Sequence, residues 1–217
     1  MPDVTAAVDY TDTWGHVRAA GVLRYFAVDN GGNSSNSLGA TSSQSKDTIG
    51  GGGLVGATLN IGSWIGGYFA KDQIAFNGYI GEGINRYVGA ASQQGDAILF
   101  VNPNGMFGSL DTQLQYGGFF WYLHNWTDTL RTNAVFGIQY QEWNNSVPVD
   151  DIAIGSQYQQ VESVHVNLIW SPVKSVNLGL EYMWGYNENR NLPGGAGVVG
   201  GSRGTANQLQ FSAQYIF

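Results

Sequence analysis

The fold is decided by the closing stretch TANQLQFSAQYIF, residues 205–217. Leu209, Phe211, Ala213, Tyr215 and Phe217 occupy every second position, and between them stand mainly Gln and Ser. Successive side chains of a β-strand point to opposite faces, so this alternation predicts a strand with one apolar and one polar face. The apolar face ends in aromatic residues, which is unusual for a strand that covers a soluble core.

A period of two recurs along most of the chain, whereas helical spacing is hard to find. Eight further stretches read as strands: VTAAVDY (4–10), HVRAAGVLRYF (16–26), GLVGATLNI (53–61), QIAFNGYIG (73–81), GGFFWYLHNW (117–126), LRTNAVFGIQY (130–140), ESVHVNLIW (162–170) and SVNLGLEYMWG (175–185). With the closing stretch they predict nine strands and an all-β fold.

The connections between these strands alternate in length. Short ones lie at 11–15, 125–129 and 171–175, and a moderate one lies near 63–72. Long ones rich in Gly, Asn and Ser lie at 29–48, 82–108, 141–159 and 187–205. An outer-membrane barrel has short periplasmic turns and long outer loops, so the alternation favours a transmembrane antiparallel β-barrel. Trp14, Trp126 and Trp170 lie at the short-turn ends, where an interfacial aromatic girdle is expected.

The charged residues avoid one strand face. Arg18, Arg24, Arg131 and Glu181 all stand opposite the apolar stripe of their strands. An Arg facing lipid at the midplane of a barrel costs about 2–4 kcal/mol, so the apolar face is predicted to meet lipid and the polar face to meet water inside the barrel. This also accounts for a charged fraction of only 12%.

Composition excludes several classes of protein. The formal net charge of −7 lacks the basic footprint of a nucleic-acid binder. The absence of cysteine excludes a disulfide scaffold, a Cys-type zinc site and a Cys nucleophile. Glycine is abundant, with 32 residues, but only 5 prolines accompany it, so the chain does not read as collagen or as Pro/Gly-rich disorder.

Two other architectures remain open at this point. One is a soluble β-sandwich or lipocalin-like barrel with the apolar face inward, which leaves the aromatic strand ends and the Gln-rich outer face unexplained. The other is a small closed barrel of eight or ten strands, whose filled interior would make it an outer-membrane anchor or adhesin without a channel.

The number of strands bears on completeness. Complete single-chain bacterial barrels have an even number of strands, and nine strands ending at the periplasmic side break that rule. A further strand in 97–101 would need a partner elsewhere to keep the order of turns. We therefore expect residues 1–217 to form one transmembrane barrel domain that is incomplete on its N-terminal side.

Four segments resemble the DcaP-like porins of Gram-negative bacteria: MPDVTAAVDYTDTWGHVRAAGVLR, YIGEGINRYVG, WSPVKSVNLGLEYMWG and NQLQFSAQYIF. The resemblance implies the last nine strands of a sixteen-stranded barrel that assembles as a homotrimer in the outer membrane. It also implies passive diffusion of small hydrophilic solutes, with anions such as dicarboxylates favoured. The partners it implies are outer-membrane lipid and lipopolysaccharide, small anionic solutes and the outer-membrane assembly machinery, with no nucleic acid, cofactor or metal.

The candidate pore-lining residues are basic or titratable side chains on the polar face, together with Arg86, which is expected at an outer strand end. They are Arg18, Arg24, Arg86, Arg131, His16, His165 and Glu181. The arginines could form a track for anions, because a guanidinium offers carboxylates a fixed fork of donors. The alternative is that they pair with lumen acids such as Glu181 and only stiffen the wall. Phe211, Tyr215 and Phe217 resemble the C-terminal signal that the assembly machinery reads.

Sequence patterns that resemble enzyme motifs lack the surrounding structure that those motifs require. Ser163, His165 and Asn167 share a strand face, but side chains two residues apart on a strand stand about 6–7 Å apart, too far for direct hydrogen bonds. The glycine patterns at 51–56 and 195–200 do not sit between a strand and a helix, as a dinucleotide site requires. The sequence therefore predicts a channel and not an enzyme.

Overall fold

The computed structural model describes residues 2–30, 43–88, 96–102, 106–142, 158–189 and 203–216. Its strands are β1 Val4–Asp12, β2 Gly15–Asp29, β3 Ser45–Leu59, β4 Gln73–Glu82, β5 Ala97–Val101, β6 Phe107–Thr112, β7 Leu114–Asn125, β8 Leu130–Gln141, β9 Tyr158–Val173, β10 Val176–Asn189 and β11 Arg203–Tyr215. A helical turn, α1 (Gly62–Ile65), and two 3-10 turns, Gly67–Phe69 and Asn85–Tyr87, lie in connections. No helix in these ranges is long and apolar enough to cross a membrane.

Nine strands form one antiparallel sheet in the order β1-β2-β3-β4-β7-β8-β9-β10-β11. This confirms the prediction of an all-β fold built on nine antiparallel strands. The strand considered at 97–101 exists as β5, and its partner is β6 in a separate hairpin. The hairpin lies within one long connection, so it leaves the alternation of short and long connections intact.

The register divides the nine-stranded sheet into two faces, as the alternation predicted. Val8 pairs with Ala19, which pairs with Val55 on the next strand, and the same face carries Phe136 and Leu180 further along the sheet. We call this the outer face. Its large side chains are solvent-accessible in the isolated chain, with Val8 73% exposed. Such a continuous apolar surface requires a covering of lipid or protein.

Charged residues of the outer face occur only towards the strand ends. At the short-turn end there is Asp12, and at the long-connection end there are Asp29, Asp47, Glu82, Glu162, Glu188 and Arg203. The middle of every strand is free of charge on this face in the described part of the chain. An apolar band bounded by polar rims is the pattern of a membrane-spanning barrel wall.

A short segment after β4 folds back onto the opposite, inner face. This inward segment, residues 83–88, begins at Gly83 with φ +65° and buries Ile84 and Val88 against Val22, Tyr79 and Val161. The glycines of β3 make room for it. A Cβ on Gly52 would lie 2.7 Å from the carbonyl oxygen of Ile80 and 3.1 Å from Cγ2 of Ile84.

We expect Gly52→Val to destabilise the sheet where the inward segment packs. The added side chain collides with backbone, and overpacking of this kind costs about 1–3 kcal/mol. The readout is the temperature at which the folded band on an unheated SDS gel is lost. Gly53→Ala is the matched control, because its Cβ meets nothing closer than the Ala20 carbonyl oxygen at 3.6 Å. Equal melting of Gly52→Val and the unmodified protein would show that this packing is loose.

Candidate functional site

The strand positions of the inner face carry more positive than negative charge. Its strand positions hold four cationic residues, Arg18, Arg24, Lys46 and Arg131, and two acidic residues, Asp9 and Glu181. Lys46 was not predicted to lie on the inner face, because it precedes the glycine run of β3, where no alternation is visible. Asn, Gln, Ser, Thr and Gly make up most of the other inner-face positions, and aliphatic and aromatic side chains make up the rest.

Arg24 is held by its own chain. Its side chain is 6% exposed, and its nitrogens lie 3.0 Å from Asp3 Oδ2 and 2.7 Å from Asp96 Oδ1. Nη1 also donates to the carbonyl oxygen of Gly83, and the Tyr87 hydroxyl donates to Asp3 at 2.7 Å. We call these five residues the Arg24 latch. Because two carboxylates already neutralise Arg24, its geometry favours the wall-stiffening alternative over a free anion site.

The latch fastens the inward segment to the sheet. Arg24 reaches from β2 to Gly83 at the start of that segment, and its guanidinium carbon lies 5.4 Å from the centre of the Tyr87 ring. A second aromatic contact, at 4.7 Å, is made with the Phe26 ring on β2. The cation therefore bridges the wall and the segment that covers part of it.

Acid is expected to weaken the latch. The hydrogen bond from Tyr87 and the charge of Arg24 hold the pKa of Asp3 below its usual value. Ionised Asp3 therefore stabilises the folded latch above about pH 4, the pKa of an exposed Asp, and this stabilisation is lost as the pH falls through the lower folded value. Hydrogen exchange at 83–88 should be unchanged between pH 8 and pH 5 after correction for intrinsic rates, and should accelerate only in stronger acid. Acceleration already at pH 6 would assign the effect to another group.

Arg18 is the more accessible inner-face arginine of β2. Its side chain is 52% exposed, and Nη1 lies 3.4 Å from Oδ1 of Asp9 on β1. His16 shares the same carboxylate oxygen, with Nε2 at 2.9 Å. An exposed ion pair of this geometry is weak and leaves donors of Arg18 open to solvent. Arg18 and His16 are thus brought together, as their spacing on one face predicts.

The guanidinium groups of Arg131 and Arg86 have no carboxylate oxygen within 4 Å in the part of the chain that the structure describes. Arg131 donates to Ser171 Oγ at 2.9 Å, near the short-turn end of β8. Arg86 is exposed on the inward segment rather than at the end of a strand, where the sequence suggested it. The backbone N–H of Arg86 donates to Asp96 at 3.1 Å, so the loop position of this arginine is tied to the latch.

His165 and Glu181 form a third polar group in the middle of the inner face. Nδ1 of His165 lies 3.5 Å from Glu181 Oε1, and Gln210 donates to Glu181 Oε2 at 3.0 Å. Asn167, two residues from His165, bonds instead to Asn133 on β8. His165 and Asn167 therefore have different neighbours and do not converge on one another.

The structure places part of the predicted assembly signal. Phe211 and Tyr215 lie on the outer face of β11, where they are 69% and 65% exposed. Phe217 lies outside the described residues. Exposure on the lipid-facing side fits a strand that another protein could bind, but the recognition of these residues stays a prediction.

A buried polar cluster at the short-turn end was not predicted. Asp72, whose side chain is 1% exposed, accepts hydrogen bonds from the Tyr122 hydroxyl at 2.5 Å and from His124 Nδ1 at 2.8 Å. Burial raises the pKa of Asp72, but the donors from Tyr122, His124 and Asn125 outweigh it, so the pKa lies below its usual value. Asp72 and His124 are far apart in sequence, and only the strand register joins them. No group of three His, Cys, Asp or Glu side chains in the described ranges is placed to hold a metal ion.

Comparisons with known proteins agree with this architecture. The family model of the DcaP outer membrane protein matches residues 55–195, which is more than half of the chain. Among solved structures, the outer membrane channel DcaP of Acinetobacter baumannii is similar, with a TM-score of 0.67 and 18% sequence identity. That match covers 100% of this chain and 52% of the channel, so the chain spans about half the length of that protein. No curated protein matches.

The family match confirms the resemblance seen in the sequence and the outer-membrane localisation expected from it. The structural similarity confirms the predicted all-β, antiparallel fold, which is like that of an outer membrane channel. The chain belongs to the DcaP family of outer membrane proteins.

Proposed function

We propose that the inner face lines a water-filled diffusion channel for small hydrophilic solutes and favours anions such as dicarboxylates. The observation that carries the proposal is the charge at the strand positions of this face, four cationic residues against two acidic ones, while the carboxylates of Asp3 and Asp96 are engaged by Arg24. Arg24 is neutralised in the latch, which leaves Arg18, Arg86 and Arg131, with Lys46 near the long-connection end of β3, as the cations that solutes would meet. These three arginines form the candidate anion track.

The chemistry of the track suits carboxylates. A guanidinium presents a planar fork of donors that matches the two oxygens of a carboxylate, and it stays charged at any physiological pH. A narrow aqueous path between low-dielectric walls strengthens its field. The net charge of −7 does not oppose this, because six acids, Asp12, Asp29, Asp47, Glu82, Glu162 and Glu188, lie on the outer face.

The arrangement of the sheet supports a wide channel over a small closed barrel. β1 and β11 stand at opposite ends of the strand order, and both are exposed along their whole length in the described chain. A sheet that forms about half of a channel wall needs further strands to close into a barrel. The exposed edge strands β1 and β11 would then be covered by those strands or by trimer contacts. On this proposal the chain acts by shaping a passage and has no enzymatic activity.

Loss of the track should reduce anion preference. In planar bilayers with a KCl gradient, we expect the reversal potential of the Arg18→Ala/Arg131→Ala variant to move toward the cation side. The matched control is Arg203→Ala, because Arg203 lies on the outer face at the end of β11 and should leave the reversal potential unchanged. An unchanged reversal potential in the double variant, with normal conductance, would reject the anion track.

A further inference from the structure

The connection between β3 and β4 exposes several large apolar side chains. It spans residues 60–72, whereas the other connections at this end of the sheet have two to four residues. Trp64, Ile65, Tyr68 and Phe69 are 59%, 63%, 60% and 43% exposed. We call residues 62–69 the foot. Four such side chains on one short element are a surface that needs a partner.

The foot is rigidly attached, so its exposed side chains are not the tip of a loose loop. The N–H of Gly62 donates to the carbonyl oxygen of Asp72 at 2.9 Å, and the N–H of Asp72 donates to Phe69 at 2.9 Å. The buried Asp72 carboxylate is in turn bound to Tyr122 and His124 of β7. The apolar side chains are therefore presented in a fixed position relative to the sheet.

The foot continues the outer face. His124 follows Phe120 and Tyr122 on the outer side of β7, and its ring lies 5.1 Å from Tyr68 and 5.6 Å from Phe69. On the other side, the ring of Trp126 lies 4.5 Å from His124. The rings of Tyr68 and Phe69 thus adjoin the outer-face end of β7 through His124 and Trp126. Family membership places this outer face in the outer membrane, so its covering there is lipid.

The charged groups beside the foot indicate where the membrane interface gives way to the aqueous phase. Lys71, next to the foot, pairs with Asp128 in the β7–β8 turn, and both side chains are largely exposed, at 67% and 86%. Trp and Tyr with one apolar and one polar edge prefer the boundary between hydrocarbon and headgroups. Apolar rings followed directly by a solvated ion pair are the order expected across that boundary.

We propose that the foot is an interfacial anchor that inserts Trp64, Ile65, Tyr68 and Phe69 into the headgroup and upper acyl region of the periplasmic leaflet. The occupant of this surface is phospholipid. The short-turn end faces the periplasm in barrels of this type, which selects the phospholipid leaflet. The inference rests on the outer-membrane location and is independent of the ions or solutes that the channel conducts.

The sequence offers a clean test, because it contains no cysteine. Trp64→Cys and Asp128→Cys are each spin-labelled and reconstituted in vesicles of phosphatidylethanolamine and phosphatidylglycerol. Collision with oxygen, which concentrates in lipid, is compared with collision with a water-soluble nickel chelate. We expect the ratio of oxygen to nickel collision to be several-fold higher at position 64 than at position 128. Phe136→Cys, on the outer face within β8, supplies the value for a lipid-facing strand position.

Two outcomes would overturn the proposal. Nickel accessibility at position 64 equal to that at position 128 would place the foot in water. Low accessibility to both reagents at position 64 would show that protein covers the foot, and a second copy of the chain would then be its occupant. A folded band on an unheated SDS gel confirms assembly of each labelled variant, so a failure to fold is not read as a result.

Discussion

Replacement of Arg24 by Gln is expected to release the inward segment and to raise the conductance of the channel. Arg24 is the cation between Asp3 and Asp96, and its side chain is 6% exposed. Gln removes the charge and leaves two carboxylates facing each other beside the segment. Breaking a fully buried pair costs about 3–5 kcal/mol, and we expect about 2 kcal/mol here because the carboxylates are partly solvated.

The loss of stability in Arg24→Gln should be confined to the inward segment. Protease cleavage and hydrogen exchange at 83–88 are expected to increase, while the nine-stranded sheet keeps its resistance to SDS. Arg18→Gln is the matched control for cleavage and hydrogen exchange of the segment, since Arg18 is exposed and bonds only to Asp9 among the described ion pairs. If Arg24→Gln leaves the protection of the segment and the conductance unchanged, the latch does not hold the segment, and apolar packing of Ile84 and Val88 is sufficient.

An arginine on the outer face is expected to prevent assembly, whereas an arginine three residues further along the same strand, on the inner face, is tolerated. Leu180 lies on the outer face within β10, between Leu168 and Phe211 on the neighbouring strands. Arg at a lipid-facing position near the midplane costs about 2–4 kcal/mol in a transmembrane barrel. We therefore expect Leu180→Arg to reduce strongly the amount of folded protein in the outer membrane.

Met183→Arg is the matched comparison on the same strand. Met183 lies on the inner face beside His165 and Gln208, where water or polar groups can solvate a guanidinium. Both variants add one arginine to β10, so they differ chiefly in the face that receives it. Normal assembly of Leu180→Arg together with failure of Met183→Arg would reverse the assignment of the two faces.

The period of two made the faces of the sheet predictable from the sequence alone. It places Arg18 and Leu180 on opposite faces, as the register shows. The first half of β3, before Gly53, was not predicted, because Gly50 to Gly52 carry no side chain that could alternate. Those residues are in a strand because each pairs with β2, a tertiary constraint that local propensity does not express.

The partners of individual side chains could not be predicted from the strand pattern. Arg24 was expected to face the lumen, which the register supports, but its neutralisation by Asp3 and Asp96 depends on the path of two connections. The same holds for the Asp72–His124 contact, which joins a connection to β7. Alternation determines which face a residue occupies, whereas loops that fold back determine what it touches.

The most direct test of the account is the accessibility of β10 to a charged thiol reagent during conductance measurements. Single cysteines replace Asn177 and Met183 on the inner face and Leu180 and Tyr182 on the outer face of the otherwise cysteine-free chain. A negatively charged, water-soluble methanethiosulfonate should change the single-channel current of the two inner-face variants and leave the two outer-face variants unaffected. Modification of the outer-face cysteines, or an unchanged current at both inner-face positions, would contradict the claim that the inner face lines a water-filled channel.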